Sequence, residues 1–260
     1  MFKALFFDID GTLVSFTTHR IPASTVEALR QAKDRGVKIF ISTGRPLSII
    51  TNLGQIETLI DGYITTNGAY CFVGRETVSL HPMRRKDVET IIGDGYEQGY
   101  STIVVGTGGF VVCNDTPAVH RIFVKDLKVE NIDFSLSYDD LADEDILQVT
   151  PFVTEEQEAR LMPRLEDCTA GRWHPEFIDI TASGIDKGQG LREMAAYMAL
   201  ETEETMAFGD GGNDIPILKA AGTGVAMGNG LNKVKACADY TTTAIDEDGI
   251  RNALRHFGVI

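Results

Sequence analysis

Two short carboxylate clusters, far apart in the chain, stand out for the chemistry they allow. Asp8-Ile9-Asp10-Gly11-Thr12 directly follows the apolar run Ala4-Leu5-Phe6-Phe7. Residues i and i+2 of an extended chain point the same way, so Asp8 and Asp10 share a direction. Two close carboxylates do not both ionise cheaply without a cation between them. A solvated Asp-x-Asp-Gly turn is the competing reading, since Asp and Gly are ordinary turn residues. The second cluster, Gly209-Asp210-Gly211-Gly212-Asn213-Asp214, also follows an apolar stretch. Its glycines let backbone approach a ligand, and the helix expected after it offers unpaired N–H groups. Asp210 and Asp214 add carboxylates to the same rim. Such a rim calls for a counter-ion, and hard oxygen ligands favour Mg²⁺. Taken alone, this segment also reads as a Gly-rich turn with an Asn-Asp helix cap.

Two further segments fit an anion. Ser42-Thr43-Gly44-Arg45 offers a hydroxyl, backbone N–H groups and a guanidinium at a strand end, which suits phosphate oxygens, although a plain N-cap reads the same way. Lys187 falls at the expected start of a helix, where the dipole disfavours a cation. A bound anion would remove that conflict; a solvent-facing lysine would simply tolerate it. Other chemistries fail on inspection. No Gly-Lys dipeptide occurs, so there is no P-loop, and neither a GxSxG elbow nor an HExxH motif is present. The histidines at 19, 81, 120, 174 and 256 lack ligand spacing. Trp173 reads either as core packing or as an aromatic face for a sugar.

The elements that must position these residues follow from periodicity. Residues 4–7, 37–42, 62–66, 205–208 and 224–227 read as short buried strands. A helix is expected from Ser24 to Arg35, with Gly36 as its C-terminal cap, and another after Pro46 through Leu53. Leu191, Met194, Ala195 and Met198 follow helical spacing, as do Ile215, Leu218 and Ala221, and Ile250, Ala253, Leu254 and Phe257. Strand–helix alternation of this kind marks a doubly wound α/β sheet. The middle reads differently, with strands near 101–105, 110–113, 145–150 and 176–181 and helices near 86–98 and 155–165. That mixture predicts an α+β insert. The domain expectation is a discontinuous core of residues 1–82 and 184–260 around an inserted domain of residues 83–183.

Composition narrows the partners. The 260 residues carry 24 Lys and Arg against 38 Asp and Glu, a net charge of −14 at pH 7. This balance argues against nucleic acid or an anionic membrane as the main partner, but not against a small anion held by a metal. Cys71, Cys113, Cys168 and Cys237 form no CxxC pair, which suits a reduced compartment. With neither a signal-peptide core nor a membrane span, a soluble, cytoplasmic protein is expected.

Taken together, Asp8-x-Asp10-Gly-Thr, Thr43-Gly-Arg, Lys187 and Gly209-Asp210-Gly-Gly-Asn213-Asp214 resemble the four motifs of the haloacid dehalogenase superfamily. Their order and spacing are similar to the Cof-type sugar-phosphate phosphatases with a C2-type cap, close to the Bacteroides hexose-phosphate phosphatase type. The resemblance implies a Rossmann-like core with an α+β cap. It implies a Mg²⁺-dependent phosphomonoester hydrolase in which Asp8 is the nucleophile, forming an aspartyl-phosphate, and Asp10 the general acid and base. Mg²⁺ would be held by the Asp8 carboxylate, the Asp10 backbone carbonyl and Asp210. Thr43, Gly44, Lys187, Asn213 and the backbone N–H groups of Ile9 and Asp10 would bind the phosphoryl group, and Asp214 would orient Lys187 or a metal-bound water. Arg45, Asn67, Gly68 and Trp173 are the expected neighbours of the leaving group. The expected partner is a small phosphorylated metabolite, a hexose or pentose phosphate. A phosphomutase, or a sugar-phosphate sensor without turnover, is the alternative.

Overall fold

A four-residue run with no polar side has to be covered on both faces. In the computed structural model, which describes residues 1–126, 129 and 132–260 and all their side chains except that of Trp173, Ala4–Phe7 forms β1 with every residue buried. Ala4 and Phe6 enter one hydrophobic cluster, and Leu5 and Phe7 enter the other. The chain continues through α1 (Ala23–Asp34), β2 (Lys38–Ser42), β3 (Gly62–Thr65) and the hairpin β4 (Tyr70–Val73) and β5 (Glu76–Leu80). An inserted stretch then supplies α2 (Arg85–Gln98), β6 (Thr102–Gly106), β7 (Phe110–Cys113), α3 (Pro117–Val119), β8 (Ile146–Pro151), α4 (Glu155–Leu161), β9 (Cys168–His174) and β10 (Phe177–Ala182). The chain closes with α5 (Lys187–Tyr197), β11 (Thr205–Gly209), α6 (Ile215–Ala220), β12 (Thr223–Ala226), α7 (Asn232–Lys235), β13 (Tyr240–Thr241) and α8 (Gly249–His256). No helix among the described residues is long and apolar enough to cross a membrane.

These elements form two compact units: residues 1–45, 50–80 and 186–260, and residues 46–49 and 81–185. The first holds an eight-stranded sheet in the order β13-β12-β11-β1-β2-β3-β4-β5. It is parallel from β13 to β3, and the β4–β5 hairpin adds two antiparallel strands at one edge. Helices α1 and α8 cover one face with Val26, Leu29, Ile250, Ala253 and Leu254. On the other face α5 and α6 pack Leu191, Met194, Ile217 and Leu218. Register aligns aromatic pairs across the central strand: Phe6 stacks on Phe40 at 4.8 Å on one face, and Phe7 on Phe208 at 4.7 Å on the other. Offset ring stacking of this kind adds roughly 0.5–1.5 kcal/mol per pair to plain burial. The sheet is a doubly wound α/β fold. Its strand order reverses around β1, between β11 and β2, and such a switch point leaves a crevice beyond the carboxyl ends of the strands.

The second unit is an antiparallel five-stranded sheet in the order β7-β6-β8-β10-β9. One face packs on Val88, Ile91 and Ile92 of α2 and Leu161 of α4. The other packs Ile103, Val105, Val112 and Phe177 against Val119, Ile122 and Phe123. It is the α+β insert of the doubly wound core. Two boundaries differ from the sequence reading. Residues 46–53 were expected to be helical, but only Leu47–Ile49 form a single 3₁₀ turn. A segment that short, between Pro46 and Gly54, cannot repay helix nucleation. Helix α4 stops at Leu161 rather than near 165, because Pro163 has no N–H to continue it, and Met162–Arg164 closes as a 3₁₀ turn.

Candidate active site

Three adjacent strand ends build the site. At the end of β1 the Asp8 N–H donates to the Phe208 carbonyl at 3.1 Å, and the chain then turns back. Gly11 N–H donates to Val14 O at 2.9 Å, and Val14 N–H to Ile9 O at 2.7 Å. Gly11 has φ +87°, and a Cβ there would lie 2.3 Å from Asp210 Oδ2. Glycine thus allows both the left-handed backbone and the seating of the Asp210 carboxylate over the turn. The Thr12 hydroxyl donates to Asp210 Oδ1 at 2.9 Å, tying the loop after β1 to the loop after β11. Asp214 folds back on that second loop, its Oδ2 accepting the N–H groups of Asp210 at 3.0 Å and Gly211 at 2.8 Å.

Lys187, the first residue of α5, is fully buried. Its Nζ lies 2.6 Å from Asp8 Oδ1 and 2.6 Å from Asp214 Oδ1. Those two carboxylates answer the conflict posed by a cation at a helix start. Asp186 caps the same helix by accepting the Gln189 N–H at 2.8 Å. Carboxylate oxygens of Asp8, Asp210 and Asp214 all lie within 4.8 Å of one another. Burial, then the charges of Asp214, Asp210 and Asp10, hold the Asp8 carboxyl well above the usual range despite Lys187. Burial and Asp214 push Asp210 up to about 7. Burial alone would lower the Lys187 ammonium, but Asp214 and Asp8 outweigh it and raise the group above its ordinary value. Three carboxylates share one ammonium, and the Asp8 and Asp210 carboxyls are raised in consequence. A hard divalent cation would relieve the same excess, and this all-oxygen donor set fits Mg²⁺.

The loop after β2 is bound to the loop after β3. Thr43 is buried, with its N–H on Ile64 O at 2.9 Å, and its Oγ1 accepts the Arg45 N–H at 3.1 Å. That bond leaves the threonine's own proton for another acceptor. Gly44 is half-buried beside it, and the Ile9 side chain is fully buried. Arg45 grips Asp10 from Nε to Oδ2 at 2.7 Å and from Nη2 to Oδ1 at 2.8 Å. Thr66, Asn67 and Gly68 all have positive φ (48°, 53° and 99°). In this left-handed turn the Asn67 N–H donates to Thr43 O at 3.0 Å, and Asn67 Oδ1 accepts from Asn213 Nδ2 at 3.2 Å. A Cβ on Gly68 would stand 2.3 Å from the Asp186 carbonyl oxygen, so this glycine packs on the start of α5. Trp173 lies in β9, and its side chain is outside the described residues.

The structure therefore gathers Asp8, Asp210, Asp214 and Lys187 into one cluster, with Asp10 and Arg45 paired beside it and Asn213 joined to Asn67. Sequence reasoning missed Asn229. Its Nδ2 donates to Gly11 O at 2.7 Å and its Oδ1 accepts the Ile245 N–H at 2.8 Å. Two residues on, the Leu231 N–H donates to Asp210 O at 3.1 Å. The loop after β12 thus braces both carboxylate-bearing loops. A signal existed: Met227-Gly228-Asn229-Gly230 follows an apolar strand, the same position that drew attention to the other motifs.

Comparison with known proteins finds relatives along the whole chain. The sequence profile of the haloacid dehalogenase-like hydrolases matches residues 5–254. The structure of the HAD subclass IIB sugar phosphatase BT4131 superposes with a TM-score of 0.94 at 48% identity, covering 99% of this chain and 100% of that one. BT1666 of Bacteroides thetaiotaomicron, a phosphatase of the haloalkanoate superfamily, gives a TM-score of 0.89 at 36% identity over 100% of this chain and 96% of its own. The 5-amino-6-(5-phospho-D-ribitylamino)uracil phosphatase YcsE of Bacillus subtilis is 29% identical over 98% of this chain and 95% of its own length.

Proposed function

Given that the chain belongs to the haloacid dehalogenase-like hydrolases and is a phosphatase, we propose that it hydrolyses the phosphate esters of small sugars through an aspartyl-phosphate on Asp8, with Mg²⁺ as cofactor. The observation that carries this reading is the buried Lys187 bridging Asp8 and Asp214 beside Asp210. Asp8 and Asp210, with the Asp10 backbone carbonyl, would hold the Mg²⁺. When bound, the ion supplies positive charge that lets an anionic phosphate approach an anionic nucleophile.

The remaining steps belong to the chain's own side chains. An Asp8 oxygen attacks phosphorus in line; the Asp8–phosphorus bond forms as the bond to the sugar oxygen breaks. Asp10 gives its proton to that leaving oxygen. It then takes a proton from water, whose oxygen attacks the same phosphorus, and Asp8 and inorganic phosphate are released. The Lys187 ammonium, the Thr43 hydroxyl, Gly44, the Asn213 amide and the N–H groups of Ile9 and Asp10 bind the phosphoryl oxygens where negative charge accumulates. Asp214 orients Lys187. The hydrogen bond from Asn213 to Asn67 and the packing of Gly68 on Asp186 support the phosphate side of the site.

Two relatives inform the substrate class. BT4131 is described as a sugar phosphatase, and YcsE acts on a phosphorylated ribityl compound. The shared chemistry is a phosphate on a polyhydroxylated carbon chain, so a hexose or pentose phosphate is the proposed substrate. The core proposed is residues 1–82 with 184–260, and the cap residues 83–183. The test is phosphate release across a phosphometabolite panel with Mg²⁺ and with EDTA, for wild type and Asp8→Asn. Mg²⁺-dependent release from sugar phosphates, lost in a folded Asp8→Asn, is expected. Turnover retained by Asp8→Asn would refute the nucleophile. Interconversion of phosphate positions without net release would indicate a mutase, and binding without release a sensor.

A further inference from the structure

Asp10 does not belong to the three-carboxylate cluster, and Arg45 holds both of its oxygens. We propose that Arg45 is the positioning residue of the acid/base: its two-point grip fixes the direction in which the Asp10 carboxylate points through both halves of the reaction. The inference rests on the role given to Asp10 above.

The geometry is that of a built clamp. Arg45 and Asp10 stand at the ends of the neighbouring strands β2 and β1, whose register is set by Phe7 against Ile41. The Arg45 backbone is tied at both of its polar groups, the N–H to Thr43 Oγ1 at 3.1 Å and the carbonyl to the Thr66 N–H at 3.1 Å. Both side chains are largely covered, at 14% and 23% exposure. An aspartate has two soft side-chain torsions, and a single contact would leave the carboxylate free to rotate. A planar guanidinium presenting Nε and Nη2 as a rigid fork removes that freedom. It occupies one lone pair on each carboxylate oxygen and leaves another on each, so holding and proton transfer are compatible. Proton transfer needs about 2.6–3.2 Å of reach, first to the leaving oxygen and then to water. A displacement of about 1 Å at such a group costs on the order of 10²-fold in rate.

A positioning role differs from direct contact with the leaving group, and kinetics separates the two. Arg45→Ala and Arg45→Lys would be assayed with a hexose 6-phosphate and with p-nitrophenyl phosphate, alone and combined with Asp10→Asn. Because Asp10 also serves the water step, Arg45→Ala should lose roughly 10–100-fold in kcat on both substrates with little change in KM. Arg45→Lys keeps the charge without the fork and should recover only part of the loss. Added guanidinium ion should restore activity to Arg45→Ala. On the Asp10→Asn background, measured with p-nitrophenyl phosphate, Arg45→Ala should cost less than about twofold. Wild-type kcat in either single variant, fully additive losses in the double variant, or a defect confined to KM for the hexose phosphate would overturn the proposal. Should thermal melting show Arg45→Ala unfolded, Arg45→Lys decides alone. Wild type lacking Mg²⁺-dependent phosphate release would instead overturn the phosphatase mechanism and, with it, this role.

Discussion

Lys187→Met removes the ammonium that bridges Asp8 and Asp214 while keeping most of the side chain's volume. In the parent, Nζ lies 2.6 Å from each of those carboxylates and is fully buried. The substitution leaves three carboxylates within 4.8 Å of one another with no ammonium among them. Removing one partner of a buried ion pair costs about 3–5 kcal/mol. At roughly 2–4 °C per kcal/mol for a domain of this size, the core should melt about 6–20 °C lower. The sign of the pH dependence follows from the acids. Burial and neighbouring charge already raise Asp8, and Asp210 is pushed up to about 7. Losing Lys187 raises them further, so they take up protons as pH falls and the repulsion disappears. The gap between variant and wild type should therefore narrow from about pH 8 to about pH 5. Circular dichroism melts in EDTA across that range measure it, and a parallel series with Mg²⁺ should raise the variant's melting temperature more than the parent's. A variant within about 1 kcal/mol of wild type near pH 8, or a gap that widens on acidification, would refute the view that Lys187 neutralises this cluster.

Other expectations follow from the same geometry. Asp210 binds its proton more tightly folded, at about 7, than its ordinary value of 3.8. Metal-free wild type should therefore gain stability as pH falls from about 8 to about 6, and saturating Mg²⁺ should abolish that gain; a metal-independent slope would sink this reading. Gly68→Ala places a Cβ 2.3 Å from the Asp186 oxygen at φ +99°. Backbone strain and overpacking together predict a loss of about 2–5 kcal/mol with reduced turnover, and an unchanged melting curve would contradict it. Asn229→Ala frees the Gly11 carbonyl and the Ile245 N–H. Half-maximal activation should then need more Mg²⁺, and an activation curve matching wild type would show that this brace does not shape the metal site.

Legibility in the sequence followed how local each signal was. Strands β1, β2 and β11 are buried on both faces, so each reads as an unbroken apolar run ending in polar residues. The carboxylate-bearing loops begin where such runs stop, and for that reason the motifs could be read together with the fold. Edge elements carry no such mark. Strand β9, Cys168-Thr-Ala-Gly-Arg-Trp-His, lies at the edge of its sheet with a polar and small-residue pattern, and it was not anticipated. The β4–β5 hairpin is likewise half-exposed, and its apolar run Tyr70–Val73 is too short to distinguish from a loop.

Within the site, what stayed hidden was which polar group answers which. Lys187 looked misplaced at a helix N-terminus, and an external anion was one way to resolve it. The fold resolves it internally, with Asp8 and Asp214 delivered by two different strand ends. Arg45 looked like a substrate ligand because a guanidinium at a strand end suits phosphate, yet its fork lies on Asp10. Asn67 and Gly68 looked like a turn, and they are one, but a left-handed turn held against Thr43, Asn213 and Asp186. In each case the residue type announces a charge or a conformation, while its partner depends on register between strands distant in sequence. Motif spacing therefore reports that a phosphate-handling rim exists. Which carboxylate a given cation on that rim pairs with is set only when β1, β2 and β11 align. That is why Arg45 is legible as a residue of this rim, while the pairing of its fork with Asp10 is not.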